Sequence, residues 1–238
     1  FVSDIENLKK AVQIINKFDG IYGLDLNCGC PVPKVVRQGA GSALLNDLDK
    51  LQSIISAIKS VSNKKSLSVK FRLGFNDKNE EKIAKACEEA GADYIAVHGR
   101  TRAGGYSAKV DYEAIARVKT SVKIPVVANG DINAQNADEI LNLTKCDALM
   151  IGRASIGSPW IFHEIKTKTS VDKALKQKII LAHFDAMIEH YGEHGLCIFR
   201  KHLHQYSKGI DGATTFRNEV NFIKDARVMR ERIREFFA

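Results

Sequence analysis

The sequence predicts a parallel α/β fold of the (β/α)8 TIM-barrel type, with about five of the eight strands present, followed by a C-terminal all-α helical bundle. Three observations carry this. Short apolar runs rich in β-branched residues alternate with amphipathic stretches up to about residue 169. Polar residues able to do chemistry follow the last apolar residue of each run, and only a closed sheet aims all of those strand ends at one ligand. An open doubly wound sheet would instead concentrate its site at one switch point. Beyond about residue 170 the pattern becomes purely helical, with no long linker. The expected division is therefore 1–169 and 170–238.

The strand runs lie at 23–27, 67–71, 94–98, 125–129 and 148–152. Residues 80–90 read as a helix, with Ile83, Ala84, Cys87 and Ala90 on one face and Gly91 in the terminating position. Ser158 followed by Pro159 reads as a cap with proline in the first turn. In the tail, Leu175, Ile179, Ile180, Phe184, Met187, Ile188 and Tyr191 recur at helical spacing up to Gly192. A second helix is expected at about 196–208. The turn Ile210-Asp211-Gly212, with Thr215 as cap, opens a third, and Asp225 caps a fourth that runs through 234.

The 238 residues are 45% hydrophobic and 27% charged, a profile that excludes disorder and collagen. Lys and Arg number 36 against 28 Asp and Glu, a net charge of +8 that favours polyanionic partners without demanding them. Five cysteines, of which only Cys28 and Cys30 are close in sequence, make neither a disulfide framework nor a paired zinc motif. A reducing cytoplasm is expected, with no metal, no membrane span and no leader. The chain opens on Phe1 rather than Met, as if entered partway through a fold.

Five strand-end segments hold the chemistry. Asn27-Cys28-Gly29-Cys30-Pro31 puts thiols in a tight loop, as nucleophile, ligand or proton donor, or else as small buried fillers. Lys70 and Arg72, two apart on a strand, share a face, and cations there are costly unless a ligand or partner meets them. His98 is either a satisfied core histidine or a site residue, and Arg100 and Arg102 follow it. Asn129-Gly130-Asp131 and Gly152-Arg153 end consecutive strands, where backbone amides and an arginine suit a phosphate. In the tail, Arg200, His204 and Lys208 share one face and Arg227, Arg230 and Arg234 another, a solvated surface or a contact for RNA.

Taken in order, Leu24-Asp25-Leu26-Asn27-Cys28-Gly29-Cys30-Pro31, Gly39-Ala40-Gly41-Ser42-Ala43-Leu44-Leu45, Val69-Lys70-Phe71-Arg72-Leu73-Gly74, Val97-His98-Gly99-Arg100-Thr101-Arg102, Ala128-Asn129-Gly130-Asp131-Ile132 and Met150-Ile151-Gly152-Arg153-Ala154 resemble the successive motifs of tRNA-dihydrouridine synthases. Phe199-Arg200-Lys201-His202 and Phe216-Arg217-Asn218 are similar to the bacterial B-type branch. The resemblance implies an FMN-binding catalytic barrel over 1–169 and a helical tRNA-binding domain over 170–238. It implies that Cys30 protonates uracil C5 while reduced FMN, recharged by NADPH, delivers hydride to C6. A flavin is needed because no side chain donates hydride, and a thiol serves as acid if it stays protonated until used. Cys28 stands where relatives often carry Met and receives no such role.

By the same resemblance Lys70, His98, Asn129, Gly130, Asp131, Gly152 and Arg153 contact the cofactor. Asn27, Arg100, Arg102, Arg200, Lys201, His202, Arg230 and Arg234 are the candidates for substrate or tRNA contact. The family's Ala-Pro-Met-Ala-type first strand and a flavin-contacting Gln are not in this sequence. Three strands of the barrel are therefore expected to be missing, with Phe1-Val2 as the end of the third, and flavin absorbance after purification is expected to be weak. A dihydroorotate-dehydrogenase-like flavoenzyme and a non-catalytic RNA-binding protein are the rival readings; the first would have no use for the basic tail.

Overall fold

A computed structural model describes residues 3–238, so the expectation about Phe1-Val2 lies outside the described residues. The alternating pattern resolves into a mixed α/β fold whose five strands form one parallel sheet in sequence order: β1 (Gly23–Cys28), β2 (Ser66–Arg72), β3 (Tyr94–His98), β4 (Val126–Asn129) and β5 (Ala148–Met150). Each pair is joined by a crossover containing a helix, as parallel pairing requires. Before β1 comes α1 (Ile5–Asn16), capped by Asp4, whose carboxylate accepts from the Asn7 amide at 2.7 Å. The crossovers hold α2 (Pro33–Arg37), a 3-10 segment (Gly41–Asn46), α3 (Leu48–Val61), α4 (Glu80–Glu89), α5 (Tyr112–Ser121) and α6 (Ala137–Thr144).

Strand periodicity sorts the residues into two faces. Leu26, Cys28, Leu67, Val69, Phe71, Ile95, Val97, Val126 and Ala128 form a buried set on one face. The helices contribute buried Leu51, Ile54, Ile55 and Ile58 from α3, Ile83 and Cys87 from α4, and Ile115 and Val118 from α5. Each buried Leu, Ile, Val or Phe among them contributes about 1.5–3 kcal/mol relative to exposure. The opposite face carries Asn27, Ser68, Lys70, Arg72, His98 and Asn129, and the register holds them level: Asn27 beside Lys70, Arg72 beside His98, His98 beside Asn129.

The chain divides into two compact units, 1–151 and 152–238, so the boundary expected after residue 169 falls inside the second unit. That unit contains a 3-10 turn (Arg153–Ser155), α7 (Ile161–Thr167), α8 (Lys173–Tyr191), α9 (Glu193–Tyr206), α10 (Ala213–Phe222) and α11 (Ala226–Phe236). Ile180, Phe184, Leu196, Phe199, Leu203, Phe216, Val220, Met229 and Ile233 make its core, and Trp160 packs against it, stacked on Tyr206 at 6.1 Å. That contact explains the earlier boundary: the segment at 153–169 is tied to the helical core by its own tryptophan.

Two helix starts differ from expectation. Ser158 does not cap α7; its carbonyl accepts from the Ile161 amide in a turn, and the helix begins after Trp160. Thr215 lies within α10, which starts after Gly212 instead, because the turn at 210–212 already delivers the chain in helical direction. Asp225 does cap α11, accepting from Arg227 and Val228. Gly192 ends α8 as expected. Among the described residues no helix is long and apolar enough to cross a membrane.

Candidate active site

At the carboxyl end of β1 the chain turns sharply because Asn27 folds its carboxamide over the loop, Oδ1 accepting from the amides of Gly29 and Cys30, both at 3.1 Å. Arg72, at the end of β2, donates from Nε to the Gly29 carbonyl at 2.9 Å and from Nη1 to Thr101 and Gly105 at 3.2 and 3.3 Å. Its guanidinium also lies 5.5 Å from the Tyr106 ring centre. Tyr106 in turn meets the His98 ring edge-on at 6.4 Å. Arg72 thus fastens the cysteine loop after β1 to the loop after β3. Cys30 is half-buried in this loop, whereas Cys28 points into the core, where burial first and Cys87 second push its thiol well up. All five cysteines are free.

Lys70 is partly buried, and burial, reinforced by Arg72 and opposed by Asp25, lowers its pKa. No hydrogen bond or ion pair holds its Nζ among the described residues. His98 is buried, and its Nδ1 has no hydrogen-bond partner among the described residues. Burial, then Arg72, Lys70 and Arg100, with Asp131 opposing, drop its pKa to about 3, so the imidazole is neutral at ordinary pH. A buried polar nitrogen without a partner is costly unless a bound water or ligand atom meets it.

Asn129 donates from Nδ2 to the Met150 carbonyl at 2.7 Å, which fixes its carboxamide across β4 and β5. Gly130, at φ +129, passes so close to Val110 that a Cβ would sit 3.0 Å from it, and its carbonyl accepts from Tyr112 Oη at 2.8 Å. Asp131 forms an ion pair with Arg100 at 2.5 Å. The Arg100 side chain, 4% exposed, also donates to the Ala108 carbonyl. Arg100 is therefore committed inside the protein, and Arg102 lies over the Phe75 ring at 4.8 Å.

The structure brings Asn27, Cys30, Lys70, His98, Asn129, Gly130 and Asp131 to one end of the sheet. Gly152 and Arg153 belong to the second unit, where the Gly152 carbonyl accepts from the Ser155 amide and hydroxyl at 3.0 and 2.8 Å. In that unit Arg200 donates to the Ile223 carbonyl at 2.8 Å with its Nε buried and unpartnered, and His202 packs against His183 at 4.8 Å. Arg230 forks onto Asp185 through Nε and Nη2, Arg234 donates from Nη1 to both carboxylate oxygens of Glu231, and Lys201 is exposed. These residues do not form one basic face: Arg200 and His202 turn inward, and Arg230 and Arg234 are paired. Nothing in the sequence pointed to Tyr106, and Ser42 stood out only as one residue of the 39–45 motif, without a role. Arg72 was legible from its spacing to Lys70, but the cross-loop contacts of Tyr106 leave no local mark.

Among the described residues no cluster of three or more metal-binding side chains occurs. A family profile described as dihydrouridine synthase (Dus) matches residues 1–238. A probable tRNA-dihydrouridine synthase from Helicobacter pylori is 48% identical over 233 residues, covering 97% of this chain and 71% of that protein. One from Rickettsia conorii is 40% identical over 235 residues, 94% of this chain and 70% of its own length. tRNA-dihydrouridine synthase B of Pseudomonas syringae is 38% identical over 230 residues, 92% and 68% respectively. Since the likeness runs through every strand end that carries the site and on through the helices of the second unit, this chain belongs to the dihydrouridine synthase (Dus) family.

Proposed function

We propose that this chain is a tRNA-dihydrouridine synthase, reducing the C5–C6 double bond of uridine in tRNA in the cytoplasm, with its five strands as part of an FMN-bearing (β/α)8 barrel and its C-terminal helices as a tRNA-binding bundle. The observation that supports it most is the company Cys30 keeps: a half-buried thiol on the same sheet end as a neutral imidazole whose Nδ1 has no hydrogen-bond partner among the described residues and as the Lys70 ammonium, whose pKa burial lowers. Those groups fit a flavin, whose ring presents hydrogen-bonding atoms along one edge and gains negative charge on reduction. When bound, FMN supplies the hydride, drawn from NADPH, that no side chain can donate.

Lys70 offers the cation for the flavin's pyrimidine edge, and Arg72 keeps positive potential beside it even when its own pKa is lowered by burial. Neutral His98 contributes a directed nitrogen without adding a fourth positive charge. Asn129, Gly130 and Asp131 would hold the ribityl side, and the family resemblance alone assigns Gly152 and Arg153 to the phosphate. Cys30 gives its proton to C5 as C6 receives hydride, and its thiolate is restored from solvent. The uridine must leave its stack to reach Cys30, so the tRNA body needs a second grip. Asn27 and Arg102 are assigned to the nucleotide, Arg100 to shaping the pocket through Asp131, and Lys201 and the Arg200, His202, Arg230 and Arg234 region to the tRNA.

Cys30→Ala tests the reading. Dihydrouridine formation, measured by mass spectrometry of digested tRNA, is expected to fall by about 10²-fold or more, within the range that removing a general acid produces. Flavin content and tRNA affinity are expected to stay within about twofold. Wild-type product levels would overturn the assignment of the acid.

A further inference from the structure

Behind the cysteine loop lies a contact that touches neither the cation-lined face nor solvent. The Cys30 carbonyl accepts two hydrogen bonds from one residue, Ser42: from its amide at 3.1 Å and from its hydroxyl at 2.8 Å. Ser42 is 0% exposed. It can approach because Gly41 takes φ +60; a Cβ there would stand 3.0 Å from the Cys30 carbonyl oxygen and 3.1 Å from the Cys30 Cβ. The 3-10 segment that begins at Gly41 therefore presses directly on the backbone that carries the thiol.

Three anchors hold the loop: Asn27 on the Cys30 amide, Arg72 on the Gly29 carbonyl and Ser42 on the Cys30 carbonyl. Asn27 and Arg72 also face the site, so their loss would disturb ligands as well as the loop. Ser42 has no route to the site except through Cys30. The peptide before Cys30 is fixed at its N–H and the peptide after it at its C=O, so both planes flanking the Cys30 Cα are held, which leaves the side chain only its own χ1 rotation and sets the thiol's starting point.

We infer that Ser42 is a positioning residue for the reaction: its two bonds, admitted by the left-handed Gly41, fix the Cys30 main chain so that the thiol is aimed at the substrate carbon. This rests on the reading of Cys30 as the acid. Misplacing a reacting group by about 1 Å can cost up to about 10²-fold in rate. Ser42→Ala removes the hydroxyl bond and keeps the amide bond, so a loss of about tenfold is expected.

The full-length, flavin-loaded enzyme is assayed in its two half-reactions. In Ser42→Ala, flavin reduction by NADPH is expected to stay within twofold of wild type, KM for tRNA likewise, and kcat for uridine reduction to fall about tenfold. Gly41→Ala, which pushes on the same carbonyl, is expected to give the same split. Independently of flavin, alkylation by iodoacetamide followed by peptide mass spectrometry is expected to label Cys30 several-fold faster in Ser42→Ala, with exposed Cys197 as internal reference. An unchanged kcat for uridine reduction would overturn the inference whatever the labelling, as would a lowered kcat with an unchanged labelling ratio or equal losses in both half-reactions, which would mark a general structural role. Cys30→Ala, assayed in parallel, separates the two claims: if it retains uridine reduction the acid assignment fails, and if it loses it while Ser42→Ala does not slow, only the positioning role fails.

Discussion

His98 sits among three cations and in little water, and the consequence is measurable on the ligand-free protein. Burial, Arg72, Lys70 and Arg100 hold its pKa at about 3, against 6.5 for a free imidazole. The unfolded chain therefore takes up a proton near pH 6.5 that the folded chain refuses until about pH 3. Stability from this group is complete above pH 6.5 and is lost as pH falls toward 3, at up to about 1.4 kcal/mol per pH unit. Urea unfolding from pH 7 to 5 is expected to show that slope in the wild type and a shallower one in His98→Gln; identical slopes would mean His98 titrates normally. The candidate status of His98 was visible from its place at the end of a strand run. Its neutrality was not, because it arises from burial and from cations that include Arg72 and Lys70 of the neighbouring strand. Cys28 and Cys30 make the same point: two thiols one residue apart look equivalent in sequence, yet one faces the core and the other the loop.

At the level of elements, one device recurs at the amino ends of the strands. Asp93, just before β3, accepts from the Leu67 amide at 2.7 Å and pairs with Lys59 of α3 at 2.7 Å. Asp147, just before β5, accepts from the Val126 amide at 2.7 Å and pairs with Lys119 of α5 at 2.7 Å. Each carboxylate thus ties the start of the preceding strand to the helix packed over it. For Asp93, burial pushes the pKa up but the Lys59 and Leu67 bonds outweigh it; for Asp147, Lys119 leads and the Val126 amide adds, and both end below the usual value. Asp93→Asn and Asp147→Asn are each expected to lower stability by about 1 kcal/mol at pH 7, discounted for their exposure, and to add. Because the folded pKa values are depressed, this contribution is present above about pH 4 and lost as pH falls through the folded values. Urea midpoints at pH 7 and pH 3 check it: a loss that persists undiminished at pH 3 would show the effect is not ionic. The strands were legible from β-branched runs, and the caps at Asp225 and Gly192 from local chemistry. Ser158 and Thr215 were misread because a serine, threonine or proline marks where a helix can start, while the preceding turn decides where it does.

For the molecule as a whole, the +8 charge gains a specific expectation once tRNA is the proposed partner. With several phosphates neutralised, the association constant should fall steeply with salt, by about 10³-fold or more between 50 and 200 mM if some six contacts form. Filter binding across that range checks it, and a flat profile would remove electrostatics as the grip. Composition set the sign of the surface but not its layout: the arginines of the second unit that share helical faces in sequence are largely bound to Asp185, Glu231 and the Ile223 carbonyl. By itself the sequence determined the order of strands and helices, the parallel sheet and the family, because periodicity and the order of strand-end motifs are properties of the chain read in one direction. Only the tertiary structure decided which of those residues meet. Asn27, Arg72 and Ser42 lie on three separate segments yet converge on the two peptides that flank Cys30, and Trp160 belongs with helices rather than strands. Contacts between distant segments are fixed by packing and by the need to satisfy buried polar groups, and no local pattern records them.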